Sequence, residues 1–298
     1  MAFPTGTMTG AGGNLDGFIN EVWSPWILNF AKEARHFSLF FTDRSDELAD
    51  GGDTIHIGTM TEMTAHSKSN ATAVTLNANT DANVNLVVNT WEEVSFAIED
   101  GDAAKFLKSR YVQENYARNA GYTAGMVLED ALAALFGTFT DSVGASTTAV
   151  VDSDIRKAIG IIEANTKESC DNGNFRFFFD TKVWWNQIAG ITTYQLHINT
   201  QGNDPVLNCP ATKLYGVYVS TSNRIPYVSS TTGRYNALAH KDAIHFAITP
   251  LIGQGAGMVR VQSNYVPQYL STVTTADIQF GVLLARATYG VNILSLAS

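Results

Sequence analysis

Hydrophobic and polar positions change period several times along this chain. The first 17 residues are rich in Gly and Thr and carry almost no period, so they read as an extended arm. Over 18–41 the spacing turns helical, with Phe18, Val22, Trp26 and Phe30 four apart on one face. Pro25 interrupts that stripe and predicts a short or kinked helix. The stretch DGGDTIHIGTM then places a Gly-Gly turn before an alternating strand, with Ile55 and Ile57 on one face. Between 58 and 90 the only charged side chains are Glu62, Lys68 and Asp81, and Val74/Leu76 and Val84/Leu86/Val88 alternate at period two. This pattern predicts a long two-stranded excursion with a polar tip near residues 68–71. Such a hairpin is marginal in water by itself and is expected to lie against something else, such as another chain.

Val94, Phe96 and Ile98 complete a strand, and Asp100-Gly101-Asp102 reads as a helix start with Asp100 as the N-cap. No proline occurs from 102 to 136, where Ala120, Ala124, Val127, Leu128, Ala131 and Leu135 recur helically. One continuous helix here would be about 50 Å long, and Gly121 and Gly125 are the positions where it could bend. After a low-complexity turn over 138–149 the texture becomes mixed. Asp152 or Ser153 caps a helix to about Lys167 with Ile155, Ile159 and Ile162 inward, FRFFF over 175–179 is a buried strand, and Thr181 caps a short helix, KVWWNQIAG. KLYGVYVST, residues 224–228, YNALAHKDAIHFAI, MVRVQSNYV and IQFGVLLARATYGVNIL all read as strand-forming.

Composition narrows the function classes. The chain has 298 residues, of which 45% are hydrophobic, enough to bury a sizeable core. Only 16% are charged, against about a quarter in ordinary soluble domains, so much surface is either neutral and polar or covered by partners. A net charge of −9 without any Lys/Arg run argues against gripping nucleic acid through its phosphates. The N-terminus lacks the basic and apolar segments of a signal peptide, and no apolar run approaches the roughly 18 residues a membrane helix needs.

The densest candidate chemistry is NTWEEVSFAIEDGDAAKFL, over 89–107, with Glu92, Glu93, Glu99, Asp100 and Asp102 in eleven residues. Acid/base or metal chemistry needs convergent ligands. On a strand, however, Glu92 and Glu93 point to opposite faces. Asp100 and Asp102 sit where a helix N-terminus welcomes negative charge. The better reading is helix capping together with contacts between subunits through Trp91, Glu92 and Glu93. Lys68, at the expected hairpin tip, is a further intersubunit candidate, its alternative being a solvated loop lysine. The six histidines (His36, His56, His66, His197, His240 and His245) show no ligand spacing beyond the i, i+5 of the last pair. Cys170 and Cys209 are the candidate disulfide pair; synthesis in a reducing cytosol favours two free thiols. No catalytic, cofactor-binding or metal residue is assigned, and no cofactor is expected. GQGAG over 253–257 neither follows the right strand nor opens a helix, as a nucleotide loop would.

The order of these elements resembles the major capsid protein of tailed double-stranded DNA bacteriophages, the Hong Kong 97-type fold. GGDTIHI and VSFAIEDGDAAKF resemble the two ends of that family's E-loop and the start of its spine helix. FRFFFDTKVWWNQIAG, KLYGVYVSTSNRIP and AHKDAIHFAI are similar to units of its axial domain, and IQFGVLLARATYGVNIL to its closing strands. The resemblance covers almost the whole chain. It implies an α+β fold with an N-arm and short helix (1–36), a first part of the peripheral domain (37–53), an E-loop hairpin (54–92), a peripheral domain with a long spine helix (93–140), an axial domain (141–256) and closing peripheral strands (257–298). It implies a non-enzymatic subunit of an icosahedral head shell, found in the virion and assembled in the host cytoplasm. That subunit forms pentamers and hexamers around double-stranded DNA that it encloses without binding specifically. Scaffold, portal and decoration proteins are the implied partners; a membrane is not. In some members an E-loop lysine bonds covalently to a neighbour's asparagine, the role that would fall to Lys68. Some members also carry a cleaved N-terminal scaffolding segment. Here the arm begins almost at once, so a separate scaffold or none is expected. An encapsulin-like compartment shell shares the fold. A reading from another class is a soluble carboxylate-dependent hydrolase with a pocket near Glu93 and Asp102.

Overall fold

Two β-sheets, each buried against a helix, organise the chain in the computed structural model, which describes residues 35–49, 51–60, 62–78, 82–103, 109–191, 213–229, 232–251 and 258–297. The expected arm, and the helix over 18–41 apart from its last seven residues, lie outside this set.

The strands are β1 (Thr42–Asp43), β2 (Thr54–Thr59), β3 (Ala82–Val87), β4 (Thr90–Glu99), β5 (Asp141–Gly144), β6 (Phe175–Asp180), β7 (Lys213–Leu214), β8 (Val217–Ser222), β9 (Gly233–His240), β10 (Ile244–Ile248), β11 (Arg260–Val266), β12 (Ser271–Leu284) and β13 (Gly290–Leu296). The helices are α1 (Asp100–Ala103), α2 (Ser109–Ala134), α3 (Asp152–Thr166) and α4 (Thr181–Val183), the last continued by a π turn over Trp184–Ile188. β12 is the axis of the first sheet. β11 and β10 pair with it end to end along one edge, β4 runs antiparallel along the other, and β1 extends the sheet beyond β10. The second sheet has the order β5-β13-β9-β6-β8-β7.

α2 runs unbroken through Gly121 and Gly125. A Cβ at either would make only an ordinary 3.7 Å contact, with Val261 or Val259, so neither glycine is there to let a neighbour approach. At 26 residues the helix is about 39 Å long. Its stripe of Ala120, Ala124, Leu128 and Leu132 packs on Ala276, Ile278 and Phe280 of β12 and Val94 and Phe96 of β4. At its C-terminal end Phe178 of β6 gathers Phe37, Phe40, Phe41 and Phe136, with ring centroids 5.2–5.6 Å away. Phe175, Phe177 and Phe179 leave the opposite face of β6 and join Ile155, Ala158 and Ile162 of α3 in a second core. The FRFFF run is thus buried on both faces, which is why it lacks alternation.

Several local expectations are corrected. The helix at the acidic junction begins at Asp100 itself, so Asp100 is in the first turn and does not cap it. Val151 precedes α3 without a side-chain cap, leaving Asp152 and Asp154 in the first turn. Asp180, and not Thr181, caps α4; its carboxylate accepts from the amides of Lys182 and Val183. KLYGVYVST is a hairpin, because Tyr215 (φ 50°) and Gly216 (φ 84°) form the left-handed two-residue turn that suits strand twist. The stretch 224–228 contributes only a bridge between Tyr227 and Arg234. Sheet membership also departs from the expected ranges. β10, within 141–256, belongs to the sheet of β12, whereas β13, within 257–298, belongs to the sheet of β6 and β9. β9 and β10 are both almost wholly buried and only a three-residue turn separates them, so the pattern cannot say that the chain changes sheets there.

Candidate interaction surface

The five-stranded sheet has two unlike faces. One is covered by α2. The other carries the root of the β2–β3 hairpin at one end and Trp91, Glu93 and Ser95 of β4 along the rest, and strand parity decides which side chain goes where.

β2 and β3 pair antiparallel from Thr54↔Val87 to Thr59↔Ala82. At the root, Ile55, Leu86 and Val88 bury against Leu48 and Ala247, with Leu283 alongside. Gly281 makes this possible: a Cβ there would stand 2.2 Å from the Val87 carbonyl oxygen. Farther out, two His–Asn pairs cross the hairpin, His56–Asn85 at 2.7 Å and His66–Asn77 at 2.8 Å. Residues 62–78 lie outside any strand ladder, with a turn at Asn70 and Ala71. Lys68 stands at the tip, its Nζ donating to the carbonyls of Ser69, at 3.3 Å, and of Thr72. Ala71 completes that turn with a φ of 64°. Glu62, lower on the hairpin, pairs with Lys167 at 2.6 Å. This bridge lowers the Glu62 carboxyl below the ordinary carboxylate value, first through the Lys167 hydrogen bond.

The acidic cluster does not converge. Glu92 lies on the face of Val94 and Phe96, opposite Ile278; Glu93 lies on the other face, opposite Asp277. Ser95 donates to Glu93, and Tyr265 donates to Asp100 at 2.7 Å. Among the described residues no group of three His, Cys, Asp or Glu side chains is placed to hold a metal. A cavity of about 600 Å³ lies elsewhere, between β5 and α3, lined by Val143, Lys157, Gly160, Ile161 and Ala164 among others.

What the cluster does contain is a fixed aromatic. The Trp91 indole N–H donates to Asp277 at 3.0 Å, while 62% of Trp91 stays exposed. Asp277 is itself buried and held from the far side by Arg260, its partner on β11, at 2.9 Å through Nε and 2.6 Å through Nη2. The Arg260 hydrogen bond pulls the Asp277 carboxyl below the usual carboxylate range against the cost of burial, and Trp91 adds to it. A rigid ring with one end pinned and its face open has the character of an interface anchor.

Among the described residues, two of the ionic sites that no sequence pattern announced hold this framework. One is this Asp277–Arg260 pair. The other is Glu129 of α2, only 1% exposed. Its carboxylate accepts from the amides of His36 and Phe37 at 2.9 Å each and of Ser38 at 3.0 Å, and from the Ser38 hydroxyl. It therefore fixes the turn that delivers Phe37 to the aromatic core. The one available signal was the pair of acids, Glu129 and Asp130, lodged in the apolar run VLEDALAAL. Cys170 is buried as a free thiol, pushed up to about 12 mainly by burial, and Cys209 lies outside the described residues. His240 and His245 fall in different sheets, on β9 and β10; His197 lies outside the described residues.

Comparison with solved structures supplies the family of folds. A structure from Mycobacterium phage Che8 superposes with a TM-score of 0.75 at 16% identity, covering 93% of this chain and 97% of the other. The capsid of Cyanophage P-SCSP1u gives 0.71 at 14% identity, covering 96% and 94%. The fold is that of phage capsid chains. It is the α+β fold of the Hong Kong 97 type, and it extends to the capsid of a native GTA particle, at a TM-score of 0.64, 9% identity and coverage of 96% and 98%. No family model and no curated relative matches the sequence.

Proposed function

We propose that this chain is the structural shell subunit of an icosahedral phage head, assembling with copies of itself into pentamers and hexamers around double-stranded DNA. The observation that carries the reading is the superposition on capsid chains over more than nine-tenths of both partners, taken from assembled particles. In this reading the β2–β3 hairpin and residues 60–78 are the E-loop, and α2 is the spine of a peripheral domain built on the β12 sheet. The β6–β9 sheet is the axial domain that contacts its neighbours around the capsomer axes. Lys68, Trp91, Glu92 and Glu93 are contacts between subunits, and their work is geometric, not chemical. The low charge content follows from surface shared among copies, and the net negative charge suits DNA held by enclosure. Residence in the virion, assembly in the host cytoplasm, and engagement of scaffold, portal or decoration proteins belong to the same proposal.

Negative-stain electron microscopy of the expressed full-length chain tests it. Capsomers or closed shells are the expected result. Small discrete species under every assembly condition tried would overturn it, and a shell filled with a protein cargo in place of DNA would move the assignment to a compartment shell.

A further inference from the structure

The face of β10 that looks toward the hairpin holds one polar side chain. Ile244, Phe246 and Ile248 enter the α2 core, whereas Ala247 lies under the hairpin root with Leu48, Ile55, Leu86 and Val88. His245 shares the face of Ala247. It is only 6% exposed, and neither ring nitrogen has a hydrogen-bond partner. Its neighbours in the sheet are Thr42 of β1 and Leu283 of β12, and Leu283 itself packs against the hairpin cluster. The charged groups that act on it are Arg44 and Glu47, just after β1, Asp242, in the turn before β10, and Arg286, after β12. These are two cations and two anions, and both acids are already engaged: Glu47 by Arg44 at 2.7 Å and Asp242 by the Thr42 hydroxyl at 2.7 Å. The Arg44 Nε is also buried without a partner. The hairpin packs here through Ile55, Leu86 and Val88, none of which can answer a new charge.

We propose that His245 is a protonation latch at the root of the β2–β3 hairpin: the neutral ring lets the root pack onto β10 and β12, and the imidazolium loosens it. A cation in this position would be buried beside two guanidinium groups with no acceptor reaching either ring nitrogen, so a proton enters only when the root opens to water. Burial, and then Arg44, hold the ring below its ordinary value in the packed state. The sign follows. The opened root takes its proton near the ordinary histidine value of about 6.5, while the packed root does not. Packing is therefore at full strength above that pH and weakens as pH falls below it, by up to about tenfold in the opening equilibrium between pH 7.5 and 5.5. The latch does not depend on the shell reading, because the hairpin root is a feature of the single chain.

The test is amide hydrogen exchange on the full-length protein at pH 7.5 and 5.5, corrected for intrinsic exchange and read at Ile55 and Leu86. The opening equilibrium of these amides should rise up to about tenfold on acidification in the native chain, and by less than twofold in His245→Leu and His245→Gln. His240, on the other sheet, is unchanged in both variants and serves as the internal control for general acid sensitivity. If the variants keep the native pH response, or if exchange rises equally across α2, the latch is wrong. Should both variants misfold, direct nuclear magnetic resonance titration of the His245 ring decides: a midpoint at or above 6.5 in the folded chain overturns the proposal.

Discussion

Gly281 of β12 passes beneath Val87 so closely that a Cβ on residue 281 would stand 2.2 Å from the Val87 carbonyl oxygen and 2.8 Å from its carbon. Backbone, not a flexible side chain, occupies the space, so neither partner can step aside cheaply. Gly281→Ala is expected to cost about 1–3 kcal/mol, the usual penalty of overpacking. The loss should be local: faster protease nicking within residues 60–78 and unchanged exchange protection in α2. Equal loss of protection in both regions would show that the contact does not belong to the hairpin root alone.

Glu129 carries a different kind of constraint. Removing its carboxylate leaves three backbone amides, those of residues 36–38, without their acceptor beside a fully buried Phe37. Glu129→Ala should destabilise by about 2–4 kcal/mol, since hydrogen bonds to a charged group are each worth about 1.5–3 and water can recover part of the loss. Glu129→Gln retains one acceptor oxygen and should recover about half. Equilibrium denaturation of the two variants checks the order; an alanine variant as stable as the native chain would refute the clasp.

Asp277 makes stability depend on acid. Its carboxyl is held below the ordinary value by Arg260, so in the unfolded chain it takes a proton at a higher pH than in the fold. The stabilisation is present above the unfolded value of about 4 and is lost as pH falls from there through the depressed folded value. Asp277→Asn should cost about 2–3 kcal/mol at pH 7, because the charge-assisted bonds from Arg260 weaken and Trp91 is left with a weaker acceptor. The difference should shrink as pH drops below 4. Thermal unfolding at pH 7 and pH 3.5 measures it, and a constant gap between native and variant would exclude the linkage.

How much of this was legible follows from where the information sits. The strand at Val94–Phe96–Ile98, the α2 stripe and the doubly buried FRFFF run are periodic, and periodicity is written residue by residue. The separation of Glu92 from Glu93 follows from parity alone. The Asp277–Arg260 pair and the Glu129 clasp join residues 17 and about 92 positions apart, so no local pattern announces them. The change of sheet between β9 and β10 was hidden for a related reason. Both strands are apolar on both faces, and only tertiary pairing says which sheet each enters. Cap positions slipped by one residue because Asp180 and Thr181 are both good caps, and the backbone decides between them.

The outer hairpin offers the test that separates folding from assembly. Met60 is 89% exposed, Leu76 85%, Met63 68% and Val74 67%, and none belongs to a buried cluster. An apolar side chain that is already in water contributes almost nothing to the stability of the single chain, so replacing all four with Ser should change unfolding free energy by less than about 1 kcal/mol in total. If neighbouring copies cover these residues, the same substitutions remove apolar contact from every interface, at about 25 cal/mol per Å² buried. A shell multiplies that loss over all its subunits. The fourfold variant should therefore fold with native denaturation behaviour yet fail to sediment as particles under conditions in which the native chain assembles. Lys68→Met, made separately, removes the one cation of the tip and should weaken assembly more at low salt than at high salt, because an ion pair between copies is screened. Normal particle yield from the fourfold variant would mean that the hairpin's exposed apolar residues face solvent in the assembled state, and that the contacts between copies lie elsewhere on the chain.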